Sequence, residues 1–119
     1  MMNMPFQKLQ IWQKGLRLVK DLYELTRTFP KEELYGLTSQ MRRAAVSIPA
    51  NIAEGSQRTS EKEFAHFVLI AKGSLAELHT FIYIASEMHY ITKAQANTMI
   101  ASIEELDRMI RSFHLQLTA

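Results

Sequence analysis

The sequence contains no cysteine, which excludes disulfide frameworks, thiolate zinc sites and cysteine nucleophiles together. Only four glycines and three prolines occur, and neither a GxGxxG nor a GKS/GKT sequence is present. The glycine-rich phosphate loops of nucleotide-binding proteins are therefore excluded, and no cofactor is expected. The longest uncharged runs, 44–53 and 94–103, are far shorter than the 18 or more residues of a membrane-spanning helix. These absences predict a cytoplasmic protein that does not enter a membrane.

The composition is typical of a soluble folded protein. Hydrophobic residues make up 47% of the 119 residues and charged residues 22%, so we expect one domain over residues 1–119. The net charge is only +2, but it is unevenly distributed. Residues 1–60 carry nine Lys/Arg against five acids, and residues 61–119 carry five against seven. Such an asymmetry indicates either a binding face or two halves that attract each other.

Apolar residues recur at helical spacing along the whole chain, and no long alternating run favours a strand. The first predicted helix spans 7–28 and the second 37–55, each with one apolar stripe. Ser60 and Thr92 begin capping sequences, with Glu63 and Gln95 three residues later, and each precedes a long stripe. Short links between long helices predict an all-α protein, an antiparallel up-down-up-down four-helix bundle. The core stripe expected on the first helix contains Leu9, Trp12, Leu16, Val19 and Tyr23.

Pro49 lies inside the second predicted helix, where it removes one backbone hydrogen bond. Because the apolar spacing keeps its phase across Pro49, we expect one kinked helix rather than two helices. The side chains of Gln40, Ser47, Asn51 and Glu54 lie along one side of it. They form either a functional polar stripe or a structural one, in which Ser47 and Asn51 serve backbone groups freed by the proline and Glu54 pairs with a cation.

The first and third helices carry more apolar residues than one core stripe requires. A bundle of four helices would leave the surplus exposed, and such patches usually mark interfaces. The sequence therefore predicts a homo-oligomer. The residues expected in the interface are Ile11, Leu18, Leu22, Leu25, Val68, Phe81 and Ile84.

Nothing in the sequence favours catalysis or a metal site. Glu63 and His66 have the Glu-x-x-His spacing of di-metal bundles, but a second such pair is missing and Glu63 already has a capping role. Gly73-Ser74 indicates a close approach between helices. We therefore predict a protein that is not an enzyme.

Three stretches of the chain resemble the four-helix-bundle family encoded in intervening sequences of bacterial 23S ribosomal RNA genes. They are Leu9-Gln-Ile-Trp-Gln-Lys14, Glu33 to Gly55 and Ile70-Ala-Lys-Gly-Ser-Leu-Ala-Glu-Leu78. The most specific part is Arg42 to Gly55, with the order Arg-Arg-Ala-Ala-Val-Ser-Ile-Pro-Ala-Asn-Ile-Ala-Glu-Gly. The chain departs from the family at Gly15, where alanine is usual, and at Glu87-Met-His-Tyr90, which replaces a more apolar turn.

The resemblance implies a left-handed bundle and a ring of five subunits. The family is related to the accessory protein of diversity-generating retroelements, so the resemblance also implies RNA, DNA or a reverse transcriptase as partner. By resemblance and charge, Arg42, Arg43 and Arg58 are candidates for phosphate contacts, with Lys62 near the turn that follows. Two hypotheses result: an oligomeric scaffold that binds nucleic acid or a nucleic-acid enzyme, and an oligomeric protein-interaction module with no role for nucleic acid.

Overall fold

A computed structural model describes residues 4–119 of the chain. It contains four α-helices, and no strand is present in that range. Short 3-10 turns at Phe6–Lys8 and Lys31–Glu33 precede the first two helices. The four helices are α1 (Gln10–Thr26), α2 (Leu37–Ser56), α3 (Glu61–Glu87) and α4 (Lys93–Thr118).

Both predicted capping sequences begin helices. The Thr92 hydroxyl accepts from the amide of Gln95 at 3.0 Å, and the amide of Thr92 donates to the Gln95 side chain at 2.9 Å, which completes a capping box. At α3 the Ser60 hydroxyl accepts from the amide of Glu63 at 3.1 Å. The Glu63 carboxylate accepts from the hydroxyl of Thr59 at 3.0 Å rather than from the amide of Ser60. At both helix starts the amide three residues after the cap is thus satisfied by the capping hydroxyl.

Each helix packs against its neighbours in chain order, and α1 also packs against α4. Arg42 and Pro49 of α2 contact Thr26 and Gly15 of α1, so the contacts advance along one helix while they recede along the other. This is the pattern that antiparallel neighbours produce. The four helices form an all-α bundle with extents of 43 × 24 × 20 Å, and the left-handed sense stays a prediction.

The core side of α1 was predicted only in part, since Leu9 is buried and Trp12 and Val19 pack against the core as expected. Ile11, Leu18 and Leu22 are buried in the core, whereas Leu16 and Tyr23 of the expected core stripe are 49% and 42% exposed. The buried side also contains Gly15 and Thr26, two residues that do not look like core positions in the sequence. Thr26 can be buried because its hydroxyl donates to the carbonyl of Leu22 at 2.9 Å.

The helix α2 is continuous through Pro49, as predicted. The Pro49 ring packs over Gly15, where an added Cβ would lie 3.5 Å from the Pro49 Cβ and Cδ atoms. The close approach expected at Gly73-Ser74 is found at Ser74, whose hydroxyl lies 2.8 Å from that of Ser47 on α2. It is absent at Gly73, where no side chain or neighbouring helix lies within 4 Å of the position a Cβ would take. A tighter approach exists instead at Gly55, where a Cβ would lie 2.6 Å from the Cβ of Phe67.

By length and composition α3 is apolar enough to cross a membrane, with a mean hydropathy of 1.4 over 18 residues. It packs against both α2 and α4 and buries eight residues in the core. Only 28% of that apolar window is buried in the subunit, so a large part of the apolar surface of α3 faces outward.

Candidate nucleic-acid and subunit-contact surfaces

The four basic residues expected to contact phosphate lie in two separate places. Arg42 and Arg43 are in the first half of α2, while Arg58 and Lys62 lie beyond its C-terminal end at Ser56. Arg43 and Ser56 are about 20 Å apart along the helix axis at 1.5 Å per residue. The four residues therefore do not form one contiguous patch on the subunit.

Arg42 is held in place by the end of α1. Its Nε donates to the Thr26 hydroxyl at 3.0 Å, and its guanidinium lies 4.5 Å from the centre of the Tyr23 ring. The neighbouring Arg43 is exposed and has no ion pair among residues 4–119. At the other end, Arg58 lies 3.9 Å from the Glu54 carboxylate and 4.6 Å from the centre of the Phe67 ring. Of the three arginines, Arg43 is thus the one most available to an external anion.

Two adjoining clefts on α1 and α2 share Tyr23, and we call them together the α1–α2 cleft. Their volumes are about 640 and 540 Å³. Arg17, Lys20, Arg42 and Arg43 line them, and no carboxylate does. The apolar lining is Leu16, Val19, Tyr23, Leu34, Tyr35 and Val46. The cleft is therefore positively charged, and apolar and aromatic side chains lie between the charges.

The segment that carries Tyr35 is fixed by Glu33. One Glu33 oxygen accepts from the amide of Leu37 at 3.2 Å, and the other accepts from the hydroxyl of Tyr90 at 2.8 Å. Donation to this carboxylate raises the pKa of Tyr90, since the charge of Glu33 opposes loss of the proton. The Tyr35 ring itself is 94% exposed. A well-anchored segment thus presents a fully solvated aromatic ring.

By contrast, the cleft between α3 and α4 has mixed charge. It has a volume of about 410 Å³, and Asp107 in its wall pairs with both Lys72 and Arg111. Glu104 also lines it. Because its cations are largely neutralised within the protein, this cleft is a poorer anion site than the α1–α2 cleft.

Most of the residues expected in the subunit interface are part of the core. Leu18, Leu22 and Val68 are 2%, 0% and 0% exposed, and Ile11 is also buried. The prediction that these residues are exposed is wrong, because they lie on the side of each helix that faces the other helices. Leu25 and Phe81 are half-buried against the core, and Ile84 is 41% exposed.

An exposed apolar surface nevertheless exists on α3. Helical spacing places Ile70, Gly73, Glu77 and Ile84 on one side of this helix, with Leu69 at its border, and we call this the outer α3 face. Ile70 is 40% and Leu69 48% exposed. No side chain of the described chain covers Gly73. The apolar surplus detected in the sequence is real on α3, where it includes the expected Ile84 together with Ile70 and Leu69, which were not among the expected residues.

The polar residues around Pro49 connect α2 to α3. The Ser47 and Ser74 hydroxyls are 2.8 Å apart, and the Asn51 amide donates to both the hydroxyl and the carbonyl of Ser47 at 2.8 Å. Glu54 pairs with Arg58 as the structural interpretation predicted. The carbonyl freed by Pro49 belongs to Ala45, however, and neither side chain bonds to it. Ser47 and Asn51 therefore act mainly in an interhelical contact.

Glu63 and His66 do not form part of a metal-binding cluster. In residues 4–119 no group of three or more His, Asp or Glu side chains is placed to hold a metal ion. Glu63 serves the N-terminus of α3, and the His66 ring lies against Phe67 with ring centres 5.8 Å apart.

Three residues of the α1–α2 cleft were missed as candidates: Arg17, Lys20 and Tyr35. Arg17 and Lys20 were visible only as part of the charge excess of residues 1–60. Their spacing of three places both on one side of the first helix, and this was the sequence signal for a basic helix face.

This architecture defines the class of protein: an all-α four-helix bundle whose candidate functional sites are exposed surfaces. The family model of the 23S rRNA-intervening sequence proteins matches residues 7–112. The chain therefore belongs to that family, as the resemblance of Arg42 to Gly55 predicted.

Among the solved structures of similar fold is a protein of unknown function from the S23 ribosomal protein family of Bacteroides thetaiotaomicron, with a TM-score of 0.77 and 22% sequence identity. The similarity covers 87% of this chain and 97% of that chain. No curated protein matches this chain.

Proposed function

We propose that this protein is a non-enzymatic homo-oligomeric scaffold of the cytoplasm that binds nucleic acid, or an enzyme acting on nucleic acid such as a reverse transcriptase, through its basic half. The exposed outer α3 face is the observation that carries the proposal. It places Ile70 and Ile84 in solvent on the helix that otherwise supplies much of the core. Apolar surface of this kind marks interfaces rather than catalytic sites.

A five-membered ring, implied by the family resemblance, requires two different complementary faces on each subunit. The outer α3 face supplies one of them. Glu77 on this face has no ion pair among residues 4–119, so the face carries an acidic charge that a basic surface of the next subunit can match. Gly73 beside it lets a second backbone come close.

Light scattering coupled to size exclusion at micromolar concentration tests the self-association. We expect a mass several times the 13.7 kDa of the chain. The double substitution Ile70→Glu with Ile84→Glu should reduce that mass while the helical circular dichroism is kept, because both residues are exposed in the subunit. Leu115→Glu is the matched control, since Leu115 is a 68% exposed residue of α4 away from this face. A monomeric wild-type protein would contradict the proposal.

The nucleic-acid part of the proposal is supported by the α1–α2 cleft, which is lined by four cations and no carboxylate. Binding through such contacts should weaken steeply with salt and show little base preference. Fluorescence polarisation with labelled RNA at low and physiological salt tests it, using wild type and the triple substitution of Arg17, Lys20 and Arg43 by Ala. Equal binding by the two proteins, or no binding at low salt, would contradict the nucleic-acid part of the proposal.

A protein-interaction module without a nucleic-acid role is the second candidate. The net charge of only +2 favours it, because proteins that bind nucleic acid through general electrostatics usually carry a larger excess. Absence of RNA binding from a protein that still oligomerises would select this candidate.

A further inference from the structure

The α1–α2 cleft differs from a generic basic patch in its aromatic lining. Tyr23 and Tyr35 both line the part that also contains Arg42 and Arg43. Double-stranded nucleic acid presents phosphates outside and keeps its bases stacked, so a duplex could use the cations but not the rings. A single strand can use both, with phosphates on the cations and an unpaired base on an aromatic ring.

Tyr35 is the most unusual residue of this surface. Tyrosine normally buries its ring against other groups, yet the Tyr35 ring is 94% exposed. The segment around it is held by two hydrogen bonds to Glu33, from the amide of Leu37 and from the hydroxyl of Tyr90. Holding an exposed ring on an anchored backbone lowers the ordering cost of stacking a flat ligand on it.

The cations beside Tyr35 differ in how firmly the protein holds them. Arg42 is fixed by Thr26 and Tyr23, so it forms a rigid charged wall of the cleft. Arg43 lies exposed without an acidic partner in the described chain, and Arg17 and Lys20 continue the line of charge along α1. Positive charge that follows a groove is the arrangement by which proteins track a sugar-phosphate backbone.

We infer that the α1–α2 cleft binds single-stranded RNA, with phosphates on Arg17, Lys20 and Arg43 and one base stacked on Tyr35. This inference rests on the proposed nucleic-acid function and specifies the strand form and the residues. An acidic segment of a protein, including a second copy of this chain, would use the same cations, so the effect of Tyr35→Ala on RNA binding separates the two occupants.

The test compares an unstructured labelled single-stranded RNA with an RNA duplex of the same length. Fluorescence polarisation at low salt measures binding by wild type, Tyr35→Ala, Tyr35→Phe and Tyr83→Ala. Tyr83 is the matched control, because it is a 56% exposed tyrosine on α3, outside the cleft. Since the Tyr35 ring is solvated, its removal leaves the core unchanged, and circular dichroism checks this.

The expected result is tighter binding of the single strand than of the duplex. Tyr35→Ala should weaken single-strand binding by about 5-fold to about 160-fold, the range for loss of one base–aromatic stack. Tyr35→Phe and Tyr83→Ala should bind like wild type. Arg43→Ala should lower the slope of log affinity against log salt by about 0.7, the value for one phosphate contact of a single strand.

Three outcomes would overturn the inference. Equal affinity for duplex and single strand, with no effect of Tyr35→Ala, leaves only electrostatic binding, and the nucleic-acid part of the proposed function would still stand. A change in oligomeric mass on Tyr35→Ala or Arg43→Ala, without a change in RNA binding, assigns the cleft to a second copy of the chain. Failure of all variants and of wild type to bind any RNA removes the nucleic-acid function itself.

Discussion

Replacement of Gly15 by alanine should stabilise this protein, although the glycine is buried at the contact between two helices. A Cβ at this position would lie 3.5 Å from Pro49 and 3.6 Å from the Cγ2 atom of Ile48, which is ordinary van der Waals contact. Alanine is favoured over glycine inside a helix by about 1 kcal/mol. Burying the added methyl contributes up to about 0.8 kcal/mol. The expected gain in the free energy of unfolding is therefore about 1–2 kcal/mol.

The other helical glycines provide matched controls. A Cβ at Gly55 would lie 2.6 Å from the Phe67 Cβ and 3.0 Å from a ring carbon of Phe64. Overpacking of this kind costs about 1–3 kcal/mol, so Gly55→Ala should be neutral or destabilising in spite of its helix propensity. Gly73→Ala adds no contact in the subunit and should change stability by helix propensity alone.

Urea denaturation followed by circular dichroism measures all three variants, at a fixed protein concentration because assembly contributes to stability. A loss of stability in Gly15→Ala would refute the contact geometry at Pro49. The same outcome in Gly73→Ala, together with a reduced oligomeric mass, would place a second subunit over that glycine.

Two further predictions concern Pro49 and the ion pair between α1 and α4. Pro49→Ala should leave the free energy of unfolding unchanged or raise it. The gain of about 3 kcal/mol in helix propensity exceeds the loss of two ring methylenes from the contact with Gly15. A decrease in the urea midpoint would contradict this prediction. The hydrogen bond and charge of Lys14, 2.6 Å away, lower the pKa of Glu105 below its usual 4.5. A lowered pKa in the folded state contributes stability above the unfolded pKa and loses it as the pH falls through the folded pKa. Glu105→Gln should therefore be less stable than wild type at neutral pH and equal to it in acid, and urea midpoints at the two pH values test this, with Glu104→Gln as the control on the adjacent exposed residue.

Much of the fold was predictable because its determinants are local. The capping sequences at Ser60 and Thr92 mark two helix starts, since the side chains that satisfy the first amides are only three residues away. The apolar stripe that follows Ser60 supplies core residues of α3, with Phe64, Leu75 and Ile82 buried. The family could be predicted from the residue order between Arg42 and Gly55, and the family model confirms it.

The sequence alone determined the class of fold, the family and the presence of surplus apolar surface, because each depends on spacing or residue order along the chain. Only the tertiary structure decided which side of α1 faces the core. Leu16 and Tyr23 fit the helical spacing as well as Leu18 and Leu22 do, so the spacing alone favours neither side of α1. The side that becomes buried depends on Pro49 packing over Gly15 and on the hydrogen bond of the Thr26 hydroxyl. The same holds for the basic residues. Arg43 and Arg58 belong to one charged half of the sequence, yet α2 separates them, whereas packing of α1 on α2 brings Arg17 and Lys20 to the cleft that Arg43 lines. Such neighbours are set by helix contacts between distant segments, which no local spacing encodes.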